Sequence, residues 1–188
     1  MNEQIIENLG PLRPLVGIWE GVMGDDTAPS DNRGVEKNKY RERVTFNPIG
    51  PVKNHEQTLY GFRYYAQNWR IGEPDQFHEE VGYWLWDAKE KQLIKCIVIP
   101  RGVTIIAGGR VEPDAKRFKL TAELGSKTYG ICSNPFLDQE FPTVGFELEM
   151  ILHDDKSFSY DANTKIQIKG QKNIFEHRDK NTLKLVKP

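Results

Sequence analysis

The stretch from Phe158 to Lys169 decides the fold class: Phe158, Tyr160, Ala162, Thr164, Ile166 and Ile168 alternate with Ser159, Asp161, Asn163, Lys165, Gln167 and Lys169. Successive side chains on a strand point to opposite faces of a sheet. The pattern therefore predicts an antiparallel strand with one face in a core and the other in water. The same parity returns in Val144, Phe146, Leu148, Met150 and Leu152, in Phe118, Leu120, Ala122 and Leu124, and in Tyr60, Phe62, Tyr64 and Ala66. From His78 to Trp86 the chain is aromatic enough for a strand on both faces. Turn-forming residues at Asp87 to Lys91, Pro100 to Gly102, Glu112 to Ala115 and Asp154 to Lys156 join these segments through short connections.

Working outward from this stretch gives ten predicted strands, at 17–23, 37–47, 55–67, 77–87, 91–99, 102–111, 116–124, 143–153, 157–169 and 174–186, with a short helix at 3–9. Hairpins in succession, without the helical crossovers that parallel strands need, favour a meander, and closing it removes both exposed edges. The expectation is an all-β fold: a ten-stranded antiparallel up-and-down β-barrel with a short N-terminal helix at one end. Residues 1–188 form one domain on this reading, since no linker-like stretch divides them. An open two-sheet sandwich is the alternative. About eight strands already enclose room for a small ligand, so ten predict a cavity. Gly24 to Glu36 and Gly125 to Pro142, rich in Gly, Pro, Asp, Asn and Ser, read as loops at the barrel ends.

Charge narrows the function. The 26 basic and 27 acidic side chains leave a net charge of −1 with no sustained Lys/Arg block, which removes the general attraction on which nucleic-acid binders depend. No apolar run approaches the length of a membrane span and the N-terminus has no leader-like pattern, so a soluble cytoplasmic chain is expected, with no nucleic acid and no membrane as partner. Cys96 and Cys132 match no redox or zinc spacing. Nor do His55, His78, His153 and His177 form a metalloprotease or zinc-finger pattern with any carboxylate. Glu79–Glu80 and Asp154–Asp155 are adjacent pairs, and neighbours on a strand face opposite ways, which argues against paired-carboxylate catalysis from either. Solvated strand ends are the simpler reading of His55 and His153, and a structural role that of His78.

Leu9 to Gly21 is a short apolar lead into Gly17-Ile-Trp19-Glu-Gly21, with Trp19 expected to plug one barrel end. This lead-in resembles the start of calycin-type barrels, the class of lipocalins and fatty-acid-binding proteins. More particularly it resembles the heme-binding β-barrel or nitrobindin family, whose signature is Gly-x-Trp-x-Gly-x-Gly. Gly17, Trp19 and Gly21 match; Met23 stands where the third glycine falls and Gly24 comes one place late. Glycine lets a ligand approach the backbone, whereas a methionine side chain in that place would occupy room. The run His78-Glu-Glu-Val-Gly-Tyr-Trp84 is similar to the family's mid-chain strand, and Ile97 to Val103 to its next hairpin.

The resemblance implies heme b as cofactor, near Gly17, Trp19, Gly21 and Met23, with His177 on the last strand as the iron ligand. It further implies ferric-heme chemistry on nitrogen-oxide species, with peroxynitrite isomerisation as the enzymatic reading. Parity allows this placement, because an unbroken strand would aim His177, Asp179, Asn181 and Leu183 at one face. Burying that row would be costly without partners, and a bulge within Arg178 to Asn181 would instead leave His177 at the rim. Tyr60, Tyr64, Tyr83, Met150 and Tyr160 are either pocket wall or core. Two other readings stand beside heme binding: an iron-free, lipocalin-like carrier of an apolar small molecule, and a filled barrel whose surface recruits a partner or forms a homodimer.

Overall fold

In a computed structural model, which describes residues 3–154 and 156–188, eleven strands close into one barrel. They are β1 (Gly17–Pro29), β2 (Val35–Asn54), β3 (Gln57–Arg70), β4 (Gln76–Asp87), β5 (Gln92–Ile99), β6 (Val103–Arg110), β7 (Arg117–Leu124), β8 (Gly130–Ser133), β9 (Thr143–Leu152), β10 (Ser157–Ile166) and β11 (Phe175–Lys187). The order around the barrel is β1, β11, β10, β9, β7, β8, β6, β5, β4, β3, β2, so closure is between first and last strand, as a meander requires. The turn expected at Asp154 to Lys156 includes Asp155, which lies outside the described residues.

Two departures from ten up-and-down strands have local causes. β6 and β7 diverge after the single register pair Gly108 and Thr121, and the four-residue β8 fills the gap, antiparallel to β6 and parallel to β7. Four residues are too few to show a period of two. The ring of Tyr129 lies flat on Gly108, where any Cβ would collide with it. The rest of the expected Gly125 to Pro142 loop holds a short helix, α2 (Pro135–Glu140), capped by the Asn134 side chain, which accepts from the backbone N–H of Phe136 at 2.9 Å and Leu137 at 3.1 Å. Of the expected Gly24 to Glu36 loop, only 30–34 is a turn. β1 and β2 continue as paired arms through Pro29 and Val35, with Lys39 and Asp25 bridged at 2.5 Å across them.

The arms escape notice because β1 changes parity midway. A bulge between Gly21 and Gly24 pushes both Val22 and Met23 into solvent, 64% and 69% exposed, after which Gly24 and Asp26 face inward. At the N-terminal end, α1 (Glu3–Glu7) and a 3-10 turn (Gly10–Leu15) close the barrel. Leu9, Leu12 and Leu15 are fully buried there, and Trp19 donates its indole N–H to the Leu15 carbonyl at 2.7 Å. Above this plug an aromatic stack fills the centre: Trp19 meets Phe158 edge-on at 5.0 Å, and Phe46 packs on Phe62 at 5.3 Å. Tyr64 and Phe118 flank Trp84 at 6.5 and 6.3 Å. Burial of each such ring contributes about 1.5–3 kcal/mol, so this half of the barrel is where stability concentrates.

Candidate functional site in the barrel mouth

The opposite half differs in chemistry. Inward positions that are apolar near the plug turn polar toward the mouth: Tyr40 and Glu42 follow from Val44 and Phe46 on β2, Asn68 from Tyr64 and Ala66 on β3, and Glu80 and His78 from Trp84 on β4. Lys95 does the same between Leu93 and Ile97 on β5, and Asp179 and His177 beyond Leu183 on β11. On the other wall Ile99, Val144, Ala162 and Thr164 share the parity of buried core residues yet keep partial exposure, which makes the mouth a cup reached by water.

β11 pairs with β10 without a break from Phe175 to Lys184, so parity carries His177, Asp179, Asn181 and Leu183 to the same inner face. Partners meet the cost of burying that row. His177 donates from Nε2 to Asp26 Oδ1 at 3.1 Å, with Asp179 Oδ2 at 3.4 Å, and its side chain stays 29% exposed. Burial pushes the imidazole toward neutrality, but the hydrogen bond to Asp26 and the charges of Asp179 and Asp26 outweigh it and hold its pKa above the ordinary histidine value. Burial drives Asp26 upward, whereas its hydrogen bonds with His177 and Asn38 bring it below the ordinary carboxylate value. Asp179, left the weaker share of these contacts, is raised by burial.

A second network forms the floor. Tyr160 donates to Glu42 Oε2 at 2.8 Å, Asn181 Nδ2 donates to the same oxygen at 2.9 Å, and the Tyr40 and Tyr160 hydroxyls lie 2.7 Å apart. Burial nevertheless pushes the Glu42 carboxyl up to about 7. Beside it Lys95 binds Glu80 Oε1 at 2.8 Å and sits 5.2 Å and 5.3 Å from the ring centres of Tyr64 and Trp84. Burial opposes the Glu80 charge, but the Lys95 ammonium beside it wins and lowers its pKa. His78 is lowered by burial. The Tyr64 ring lies against Gly82, where an added Cβ would stand 3.2 Å from it.

The residues of the Gly-x-Trp signature are distributed along the barrel axis. Gly17, at φ +121°, lies under the C-terminal backbone of Lys187, and Trp19 belongs to the plug, both at the end opposite His177. Gly21 lies against the Asn181 amide, whose nearest atom would be 2.6 Å from an added Cβ, and Gly24 lies under the Tyr40 ring. Met23 points outward, and Gly24 takes the interior place that follows Gly21. These two glycines therefore make room for the side chains of the cup floor. His55 is exposed in a turn, and His153 bonds Ser159 at 2.9 Å on the surface. Tyr64 and Met150 are core, Tyr83 faces solvent, and Tyr160 belongs to the cup. Asp26, Glu42, Asn68 and Lys95 went unmarked in the sequence, and Glu80, weighed there only with Glu79 as an adjacent acidic pair, is instead buried against Lys95. Their signal is a polar residue at an inward parity position.

The chain is thus a closed β-barrel, plugged at one end and lined at the other by titratable groups around a partly exposed histidine. The chain belongs to the THAP4-like, heme-binding β-barrel domain family, whose model matches residues 8–184. Among solved structures it is similar to Rv2717c from M. tuberculosis, with a TM-score of 0.66 and 19% identity over 93% of this chain and 94% of that one. That likeness concerns the fold. Comparison with curated proteins returns no sequence match. No helix among the described residues is long and apolar enough to cross a membrane.

Proposed function

We propose that the chain binds heme b in the mouth cup and that His177 supplies the axial ligand to iron. The observation that carries this reading is the state of the His177 ring: one nitrogen is held by the Asp26 carboxylate, and Nδ1 has no hydrogen-bond partner among the described residues. A metal-ligating histidine characteristically gives its second ring nitrogen to a carboxylate, which fixes the ring and strengthens it as a donor, so the residues present fit the group. Asp26 orients the imidazole, and the half-exposed wall of Ile99, Val144 and Ala162 offers apolar contact to a flat macrocycle. Bound ferric heme would supply the chemistry on nitrogen-oxide species, with peroxynitrite isomerisation as the proposed reaction. Asp179 and Tyr160 would then exchange or hold protons at the cup surface.

The iron-free carrier of an apolar molecule fits less well, because Glu42, Glu80 and Asp179 would have to face an apolar guest. Hemin titration of the purified chain should give a Soret band saturating near one equivalent, and His177→Ala should abolish it. Unchanged loading in that variant would reject the assigned ligand; no Soret band in the unaltered chain would reject the function.

A further inference from the structure

Glu42, Asn68 and His78 are register partners in a row across β2, β3 and β4, all facing the cup. Directly opposed residues stand about 5 Å apart at Cβ, so the row spans about 10 Å. Each member has hydrogen-bonding capacity that the described residues leave unused. Both donors to Glu42 bind Oε2, which leaves Oε1 open. Asn68, only 8% exposed, has an Oδ1 with no partner at all. His78 makes no hydrogen bond among the described residues. A buried, unpaired amide oxygen costs about 1–3 kcal/mol, and here it belongs to the register partner of a carboxylate that has one oxygen without a hydrogen bond.

Charge selects the kind of ligand. The cup holds four carboxylates, Asp26, Glu42, Glu80 and Asp179, against the cations Lys95 and His177. Lys95 is already committed to Glu80 and His177 to Asp26. Acceptor oxygens on register-paired residues in an acidic cup call for a donor that carries positive charge. We propose that the Glu42–Asn68–His78 row is a recognition site for a small cationic nitrogen ligand of the amidine or guanidine class, its N–H groups shared between Glu42 Oε1 and Asn68 Oδ1. The row faces the same cup as His177 and touches β11 through Asn181, so it is a site of the heme-free chain.

The Glu42 carboxyl is faced by Tyr160 and Asp179 from β10 and β11, by Glu80 and His78 from β4, and by Lys95 from β5. Its elevated pKa makes the site proton-linked. With half-ionisation near 7, the charged fraction rises from about a tenth at pH 6 to about nine tenths at pH 8.

Calorimetric titration of the heme-free chain with benzamidine tests the proposal, with benzoate as the anionic counterpart. Benzamidine should bind and benzoate should not, and affinity should rise about tenfold from pH 6 to pH 8. Glu42→Gln, nearly the same shape, should weaken binding at pH 8 about tenfold and remove the pH dependence. Asn68→Asp, which adds a charge without changing shape, should tighten it, a gain that misfolding cannot imitate. Failure of benzamidine to bind, equal binding of benzoate, or indifference of the binding to both variants would overturn the proposal. The hemin titration is independent of all these results, so the two readings fail separately.

Discussion

Replacing Lys95 with methionine should destabilise the barrel by about 3–5 kcal/mol at pH 8, because it strands a buried carboxylate. The Lys95 and Glu80 side chains are only 9% and 18% exposed and are joined at 2.8 Å. Methionine fills much the same volume, so little of the loss comes from a cavity. For a chain of this size the corresponding fall in Tm is roughly 6–20 °C. In the native chain Glu80 has a folded pKa below its unfolded value. Its contribution is therefore present above the ordinary carboxylate range and is lost as pH falls through the depressed folded value. Without Lys95 the direction reverses: burial dominates, the folded pKa rises, and the cost is full above that raised value and shrinks as Glu80 takes a proton. Urea unfolding at pH 8 and pH 5 measures both limbs. At pH 5 the deficit should shrink to about 1–2 kcal/mol, the loss of the ammonium from the Tyr64 and Trp84 rings. The double variant Lys95→Met, Glu80→Gln should recover most of the pH 8 loss. A cost under about 1 kcal/mol at pH 8, or one equal at the two pH values, would refute the argument.

Asp26→Asn removes the carboxylate that lifts His177, so the imidazole pKa should fall in an NMR titration; a pKa that stays or rises would contradict the assigned pairing. Since the folded His177 pKa is raised and that of Asp26 is lowered, the pair's stabilisation is complete between the ordinary carboxylate and histidine values and fades on either side, so Asp26→Asn should destabilise most at about pH 4–6. Gly24→Ala puts a methyl group into the Tyr40 ring and should cost about 1–3 kcal/mol in thermal unfolding, whereas Met23→Ala, on the exposed side of the bulge, should change stability by less than about 0.5 kcal/mol. Comparable effects at the two positions would place the bulge elsewhere.

Strand parity carried the reading of the fold wherever it ran uninterrupted. β11 alternates over nearly its whole length, whereas β7 ends on an exposed Leu124 and β9 loses the alternation at Gly145 and Phe146, and the partial burial of His177 with Leu183 follows from the unbroken β11 register. Parity failed where backbone geometry broke the count. The bulge after Gly21 disguised the β1 arm as a polar loop, and β8 is too short to alternate. The mouth of the barrel was legible only in part. His177 stood out through the family resemblance, but Glu42, Asn68 and Lys95 each interrupt an apolar inward row with one polar residue, and an interruption alone does not distinguish a frayed strand from a functional floor. Pairing across strands is what brings Glu42, Asn68 and His78, on β2, β3 and β4, into one row. Burial raises the Glu42 pKa, and the Tyr160 and Asn181 hydrogen bonds that partly oppose it come from more than a hundred positions away, so no local window contains the balance.

The outward kink at Val22 and Met23 works as a length buffer. A chain with one residue fewer there could straighten and still deliver the same small residues to Asn181 and Tyr40, so relatives should differ by a single gap at this point while their inner surfaces superpose. Alignments that force every glycine of the opening strand into a fixed column would misassign an exterior methionine to the ligand chamber.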